Sequence, residues 1–371
     1  MSPRCPRPAA ALLLALLAAT PRASSSSSSA GRLLFRTWPY MNPAANESVS
    51  FRALDLSASP PSLSTLATLP PLPSGETEIS LYVGGSALDA ASGLWYSSTF
   101  VSDHNGFPPG RGVLTVFDTR ANKVLRRVAN TTYCNFLFFD RGALLCEAAA
   151  PWYWPPGAPQ SNDDVEDLVE SLLALDPVSG AATFLANFTP GYVLSLGSPV
   201  FDGASGTLFL HVARGLSGDV EVWSVDVRAR PAPRVVARAA GAATQQTLAL
   251  PPAAAHLGPG HLLAVAFERA PAPANYSLAL YAADVAGSAV ALTPVGAGGS
   301  VYPTVSFTGG AATLSGDGAL LYAVGTSPER RPVLVSFDTR TGAAAAVLDL
   351  SVVCPDDPSP CVVGDLVFSA A

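Results

Sequence analysis

The feature that most constrains this chain is a repeat. Six times a glycine opens an apolar run of the kind that forms a strand: Gly31-Arg-Leu-Leu-Phe, Gly93-Leu-Trp-Tyr, Gly142-Ala-Leu-Leu, Gly206-Thr-Leu-Phe-Leu, Gly260-His-Leu-Leu-Ala-Val and Gly318-Ala-Leu-Leu-Tyr. After each, an alternating apolar stretch ends in an aspartate. These are Asp55, Asp118, Asp176, Asp226, Asp284 and Asp338, spaced 63, 58, 50, 58 and 54 residues apart. A turn and another apolar run follow each aspartate. Asp suits such turns because its carboxylate bonds its own backbone two residues on, and Gly because it accepts positive φ. The six aspartates therefore read as hairpin corners rather than as a ring of ligands.

One more strand-like run precedes each glycine, as in Glu78-Ile-Ser-Leu-Tyr-Val, Cys134-Asn-Phe-Leu-Phe-Phe and Tyr302-Pro-Thr-Val-Ser-Phe. Each unit then holds four antiparallel strands, a to d, which is the pattern of a propeller blade. The first unit lacks its strand a, and the last residues, Val362 to Ser369, form a strand with nothing after it. Pairing Val362–Ser369 with Leu33–Trp38 repairs both defects and closes an all-β six-bladed ring with no open edge at the seam. Seven blades is the alternative. A helix-and-sheet fold would need amphipathic helices of 10 to 15 residues between strands, and the connections here are short or rich in Pro and Gly.

Two stretches, Leu173-Ala-Leu-Asp-Pro-Val-Ser-Gly180 and Val335-Ser-Phe-Asp-Thr-Arg-Thr-Gly342, resemble the repeats of YVTN and quinoprotein-like propellers; Thr115-Val-Phe-Asp-Thr-Arg-Ala-Asn122 does so with Asn in place of Gly. The resemblance implies a fold and no activity. The Trp-docking motif of quinoprotein dehydrogenases and the Asp box of sialidases are both absent.

Residues 1–29 read as a secretory signal and its serine-rich cleavage region, leaving 30–371 as a single propeller domain. Arg4 and Arg7 precede an apolar run from Ala9 to Ala19, and serines 24 to 29 follow. That run is about 11 residues long, against about 20 needed to span a bilayer. The C-terminus carries neither a lipid-anchor tail nor a retrieval signal. The expectation is a soluble chain, secreted or in an endomembrane lumen, and monomeric. Hydrophobic residues make up 49% and charged residues only 13%, so Ser, Thr, Pro, Gly and Ala must cover much of the surface. A net charge of −7 with no basic run argues against nucleic acid.

Beyond the signal four cysteines remain, Cys134, Cys146, Cys354 and Cys361, an even number that suggests two disulfides; their spacing fits no zinc pattern. In a hairpin turning at Asp140, residues whose indices sum to 280 face one another. Cys134 and Cys146 would then be opposed and bridged, with Cys354 pairing Cys361; two free buried thiols in blade three is the alternative. Asn-x-Ser/Thr acceptors stand at Asn46, Asn130, Asn187 and Asn275.

Loops joining b to c and d to a share one face. There the blade-three insertion opens with Trp152, Tyr153 and Trp154, near Asp103 and His104 of blade two and Trp38 and Tyr40 of blade one. Exposed aromatics beside polar groups suit a glycan, peptide or protein ligand; buried ones would merely pin a loop. The starts of the inner strands, Glu78, Asn135, Gln246 and Tyr302, are expected at the channel mouth. No catalytic residue and no resident metal or cofactor is expected. Calcium is the weak alternative, either in the acidic stretch Ser161-Asn-Asp-Asp-Val-Glu-Asp-Leu-Val-Glu170, which otherwise reads as a capped surface helix, or at the channel mouth. The functional reading is a secreted, glycosylated binding or scaffold module, with a metal-dependent hydrolase or lyase at the channel mouth as the alternative.

Overall fold

The computed structural model describes residues 31–39, 49–70, 76–79, 85–103, 111–150, 169–188, 193–195, 199–214, 219–240, 246–249, 261–269, 276–296, 302–304, 312–327, 331–352 and 361–370. These residues form six antiparallel sheets arranged as the blades of a ring. Among them there is no α-helix, only a 3-10 turn at Leu350–Val352.

Blade 1 runs from the channel outward as β27 (Cys361–Ala370), β1 (Gly31–Pro39), β2 (Ser50–Asp55) and β3 (Ser62–Thr68). Blade 2 has a two-piece inner strand, β4 (Glu76–Ile79) and β5 (Ser86–Asp89), then β6 (Leu94–Asp103), β7 (Arg111–Asp118) and β8 (Lys123–Thr131). Blade 3 is β9 (Phe136–Asp140), β10 (Ala143–Ala150), β11 (Val169–Leu175) and β12 (Ala182–Asn187). Blade 4 is β13 (Val193–Ser195) with β14 (Val200–Asp202), then β15 (Thr207–Arg214), β16 (Asp219–Asp226) and β17 (Arg234–Ala240). Blade 5 is β18 (Gln246–Ala249), β19 (His261–Arg269), β20 (Tyr276–Asp284) and an outer strand in two pieces, β21 (Ala291–Pro294) and β22 (Tyr302–Thr304). Blade 6 is β23 (Ala312–Leu314), β24 (Leu320–Thr326), β25 (Pro332–Asp338) and β26 (Ala344–Asp349). Six sheets, not seven, close the ring.

The seam forms as the repeat arithmetic requires. Leu33 pairs with Phe368, Leu34 with Val367, Thr37 with Val363 and Trp38 with Val362. Between Leu34 and Arg36 the partner strand carries one extra residue, and there Asp365 takes φ 57°. A bulge of this kind leaves one residue out of the ladder and bends the strand.

The core lies between blades, because each sheet buries both faces against its neighbours. The largest aromatic contact joins blades 1 and 2. Phe51 stacks on Phe117 at 4.8 Å and meets Trp95 edge-on at 5.0 Å, with all three side chains fully buried. Burying each such ring contributes about 1.5–3 kcal/mol, before any added gain from ring geometry.

The aspartate corners behave as read. Asp55 accepts the Ser57 N–H, Asp118 those of Arg120 and Ala121, and Asp176 those of Val178 and Ser179; Asp226, Asp284 and Asp338 repeat the bond to the second residue on. Where the turn returns into the outer strand, Gly180 and Gly342 hold φ 71° and 72°, and Asn122, standing where those repeats have glycine, holds 51°. Asn tolerates this region better than any β-branched residue, so the substitution preserves the turn.

Two placements differ from the sequence reading. Tyr302 is not on an inner strand: β22 pairs with β20 (Leu278 with Tyr302), and the inner strand of blade 6 is β23, which begins ten residues after Tyr302. The run was strand-forming, but it joined β20 beside β21 at the outer edge of blade 5. The second difference is the blade-three register. The observed pairs, Ala143 with Asp140 and Cys146 with Leu137, sum to 283, because the turn is Arg141-Gly142 with φ 51° and 82°, the two positive values of a type I′ hairpin. In that register Cys146 faces Leu137, not Cys134.

Candidate functional site

The cysteines nevertheless form a bridge, with Cα atoms 5.5 Å apart. Parity shows how. Leu137 and Phe139 of β9 face blade 2, whereas Phe136 and Phe138 face blade 4, so a regular strand would send Cys134 towards blade 4 and away from Cys146. Instead the Asn135 N–H donates to the Glu147 carbonyl at 2.9 Å, while Glu147 is also the pairing partner of Phe136. Two residues therefore oppose one. The bulge flips Cys134 onto the blade-2 side, where it packs with Cys146, Leu144 and Ala148.

This bulge lies at the end of a belt of buried polar groups that crosses blades 1 to 3 at the ends of the strands facing the b-to-c loops. Arg36 on β1 and Asp365 on β27 form an ion pair across the seam, with side chains 1% and 0% exposed. Arg36 shares its face of β1 with core residue Leu34, and the extra residue in β27 turns Asp365 to meet it. Burial pulls the guanidinium pKa down, the nearby Tyr133 partly offsets this, and the net value is about 9. Arg36 is thus still a cation at neutral pH. In blade 2, Ser97, Ser98 and Thr99 are buried, and the Ser98 hydroxyl accepts the Cys134 N–H at 2.9 Å. Tyr133, Asn135 and Glu147 complete the belt, all buried, and the Asn135 Oδ1 has no hydrogen-bond partner among the described residues.

Chemically, the belt fixes strands. It joins a charge pair, a disulfide and a hydroxyl-to-backbone bond at the places where bulges interrupt the ladders. Among the described residues no group of three or more His, Cys, Asp or Glu is arranged to hold a metal ion.

The sequence singled out Asn135, Cys134 and Cys146 in this belt and missed Arg36, Asp365 and Glu147. The available signal was a lone charge at a core-facing strand position, as in Leu34-Phe-Arg36 and Leu144-Leu-Cys-Glu147.

The other expected site residues are placed as follows. Trp38 lies on β1 opposite Val362, Asp103 ends β6 opposite Glu76, Glu78 is on β4 opposite Val101, and Gln246 begins β18 opposite Ala266. Glu78, Gln246 and Asn135 are thus on or beside inner strands, and Tyr302 is not. Cys361 begins β27 opposite Pro39. Asn130 sits exposed on β8 with φ 60°, skipped by the ladder with β7, and Asn187 ends β12, where its Oδ1 accepts the Ser171 hydroxyl at 2.8 Å. Tyr40, His104, Trp152, Tyr153, Trp154, Cys354, Asn46 and Asn275 lie outside the described residues, as does the acidic stretch up to Leu168.

No protein-family model matches this chain, and no curated protein sequence does. Solved structures are similar in fold. TolB from Acinetobacter baumannii is 12% identical, with 92% of this chain covering 67% of that one at a TM-score of 0.49. Hydrazine synthase of Kuenenia stuttgartiensis is 12% identical, with 79% covering 71% at 0.44. The GH93 α-L-arabinofuranosidase of Fusarium graminearum is 11% identical, with 74% covering 82% at 0.43.

Proposed function

We propose that this chain is a secreted, glycosylated binding module that recognises an extracellular glycan, peptide or protein on the propeller face bearing the b-to-c and d-to-a connections. One observation carries the reading. On the opposite face every repeat aspartate bonds its own turn, and three arginines there bond backbone carbonyls or a carboxylate: Arg32 the Thr119 carbonyl, Arg120 that of Ala91, and Arg228 the Asp140 carboxylate. That face has spent its chemistry on closing hairpins. In sequence, Trp38 and Asp103 lie at the other ends of β1 and β6, and Tyr40, His104, Trp152, Tyr153 and Trp154 follow β1, β6 and β10, strands of three consecutive blades. The Cys134–Cys146 bridge supports an oxidising compartment.

The test is display of the chain produced through the secretory pathway to an immobilised oligosaccharide panel and a peptide library, alongside a variant with Trp152, Tyr153 and Trp154 changed to Ala. The expected result is retention of the parent, loss with the variant, and an unchanged melting temperature. A variant that binds as the parent does, or that melts much lower, would sink the proposal.

A further inference from the structure

The outer strands divide the ring in two. From Asp118 to Thr131, from Asp176 to Asn187 and from Asp226 to Ala240, the outer turns and strands of blades 2, 3 and 4 carry eight cations: Arg120, Lys123, Arg126, Arg127, Arg228, Arg230, Arg234 and Arg238. Against them stand three aspartates in the same segments, Asp118, Asp176 and Asp226, each held by its own turn, and Asp140 of β9, which pairs with Arg228. The matching described segments of blades 5, 6 and 1 carry one cation, Arg340, and four aspartates, Asp284, Asp338, Asp349 and Asp55. In a chain of net charge −7 this concentrates positive potential on one flank.

A second, independent property follows the same boundary. The large hydrophobics exposed among the described residues are Leu125 at 41%, Val178 at 62%, Phe184 at 50% and Val236 at 53%, and all four lie on blades 2 to 4. Val178 and Phe184 belong to blade 3, with Leu125 on the outer strand of blade 2 and Val236 on that of blade 4. The turn that carries Val178 packs against blade 2, since a side chain at Gly180 would touch Thr131, and Ala232 beyond the blade-4 turn packs in the cluster of Ala186 and Phe188 beside Phe184. Apolar blade 3 is therefore flanked by cationic strands on both sides. Exposed apolar groups rimmed by charge mark a docking surface.

We infer that the outer flank of blades 2 to 4 docks an acidic polypeptide segment that carries apolar side chains, a surface distinct from the loop face and independent of what that face binds. Charge complementarity selects an acidic partner. The exposed Phe184, Val178, Leu125 and Val236 select a polypeptide over a sulfated polysaccharide, which would leave them uncovered. Stacked sheets lie about 10 Å apart, so blades 2 and 4 are separated by at least about 20 Å, and an extended segment of roughly six residues or more bridges them.

The probe is a fluorescent twelve-residue peptide of Glu with Leu at every third position, titrated against the full chain. Its comparators are a dodecamer of Glu alone and heparin. Lys123→Glu with Arg234→Glu, both exposed and on opposite sides of blade 3, should weaken binding tenfold or more. Phe184→Ser with Val178→Ser should weaken it several-fold, and Arg340→Glu on the other half-ring should leave it unchanged. Added salt should weaken it further. Circular dichroism melts of each variant confirm folding, and none of these exposed side chains supports the core. The inference fails if the leucine-bearing peptide binds no better than the Glu dodecamer, if heparin binds and the peptide does not, or if Lys123→Glu with Arg234→Glu changes nothing. It fails equally if sedimentation shows that the flank is covered by a second copy of the chain.

Discussion

Blade 1 and blade 3 solve the same problem with different chemistry. In each the inner strand carries a β-bulge, and in each a non-backbone link ties that strand to its neighbour at the bulge: an ion pair between Asp365 and Arg36 at the seam, a disulfide between Cys134 and Cys146 in blade 3. The two links differ in what they constrain. The disulfide closes a short local loop, with 12 residues of separation, whereas the seam pair joins residues 329 apart and so fixes the closure of the whole ring. A covalent link suffices where the hairpin would form anyway; the seam relies on a pair whose two charges cannot be left alone in the core.

The harshest way to break this comparison is to remove β27. Deleting the last ten residues exposes an edge of β1 and leaves Arg36 buried without Asp365, and the expected outcome is misfolded, aggregated protein. The same deletion has no counterpart in blade 3, whose sheet is continuous in sequence. Secretion and a melting curve matching the parent would refute the seam's role.

Next in size is Asp365→Asn, which keeps a residue tolerant of positive φ and removes only the charge. An uncompensated Arg36 at 1% exposure should cost about 3–5 kcal/mol in urea unfolding. Arg36→Met combined with Asp365→Gly removes both charges and should recover most of that loss. Equal midpoints for Asp365→Asn and the parent would mean that the backbone pairing alone holds the ring.

Replacing Cys134 and Cys146 together by Ala sharpens the contrast. The chain-entropy model gives about 3 kcal/mol for a loop of this size, an upper value here because the type I′ turn at Arg141-Gly142 already limits the unfolded hairpin. Non-reducing peptide mapping should recover the linked Cys134 and Cys146 fragments from the parent.

These two links also show where sequence reasoning stops. The blade count, the aspartate turns and the seam pairing were legible because each depends on a spacing that the repeat displays six times over. The disulfide was expected from a hairpin centred on Asp140, yet the turn is one and a half positions further on, and a bulge at Asn135 restores the contact. Bulges leave no periodic trace. Asp365 was missed for the same reason, since in an unbroken strand its parity would point it elsewhere. Tyr302 was misplaced because an apolar run announces a strand without saying which edge it will join.

The smallest expected effect separates the disulfide from the hairpin corners. Backbone N–H donation from Ala121 holds the Asp118 carboxyl below its ordinary pKa, and donation from Val178 does the same for Asp176. A carboxyl whose folded pKa lies below its unfolded value stabilises the fold above the unfolded value, near 4, and that contribution is lost as pH falls through the folded one. Stability should therefore decline slightly between about pH 5 and pH 3, within the acid-unfolding window of such groups. Asp118→Asn with Asp176→Asn should make that decline shallower without abolishing it, since Asp55, Asp89, Asp317, Asp338 and Asp349 are shifted the same way, and should leave the neutral-pH midpoint undisturbed, because the amide oxygen still accepts the turn's N–H. The disulfide should be indifferent over this range, as a bridged cysteine does not titrate there. Thermal midpoints measured at half-unit steps for parent, Asp118→Asn with Asp176→Asn, and Cys134→Ala with Cys146→Ala decide the matter. A decline that is undiminished in the aspartate variant, or one that vanishes in the cysteine variant, would assign the acid sensitivity to some other part of the ring.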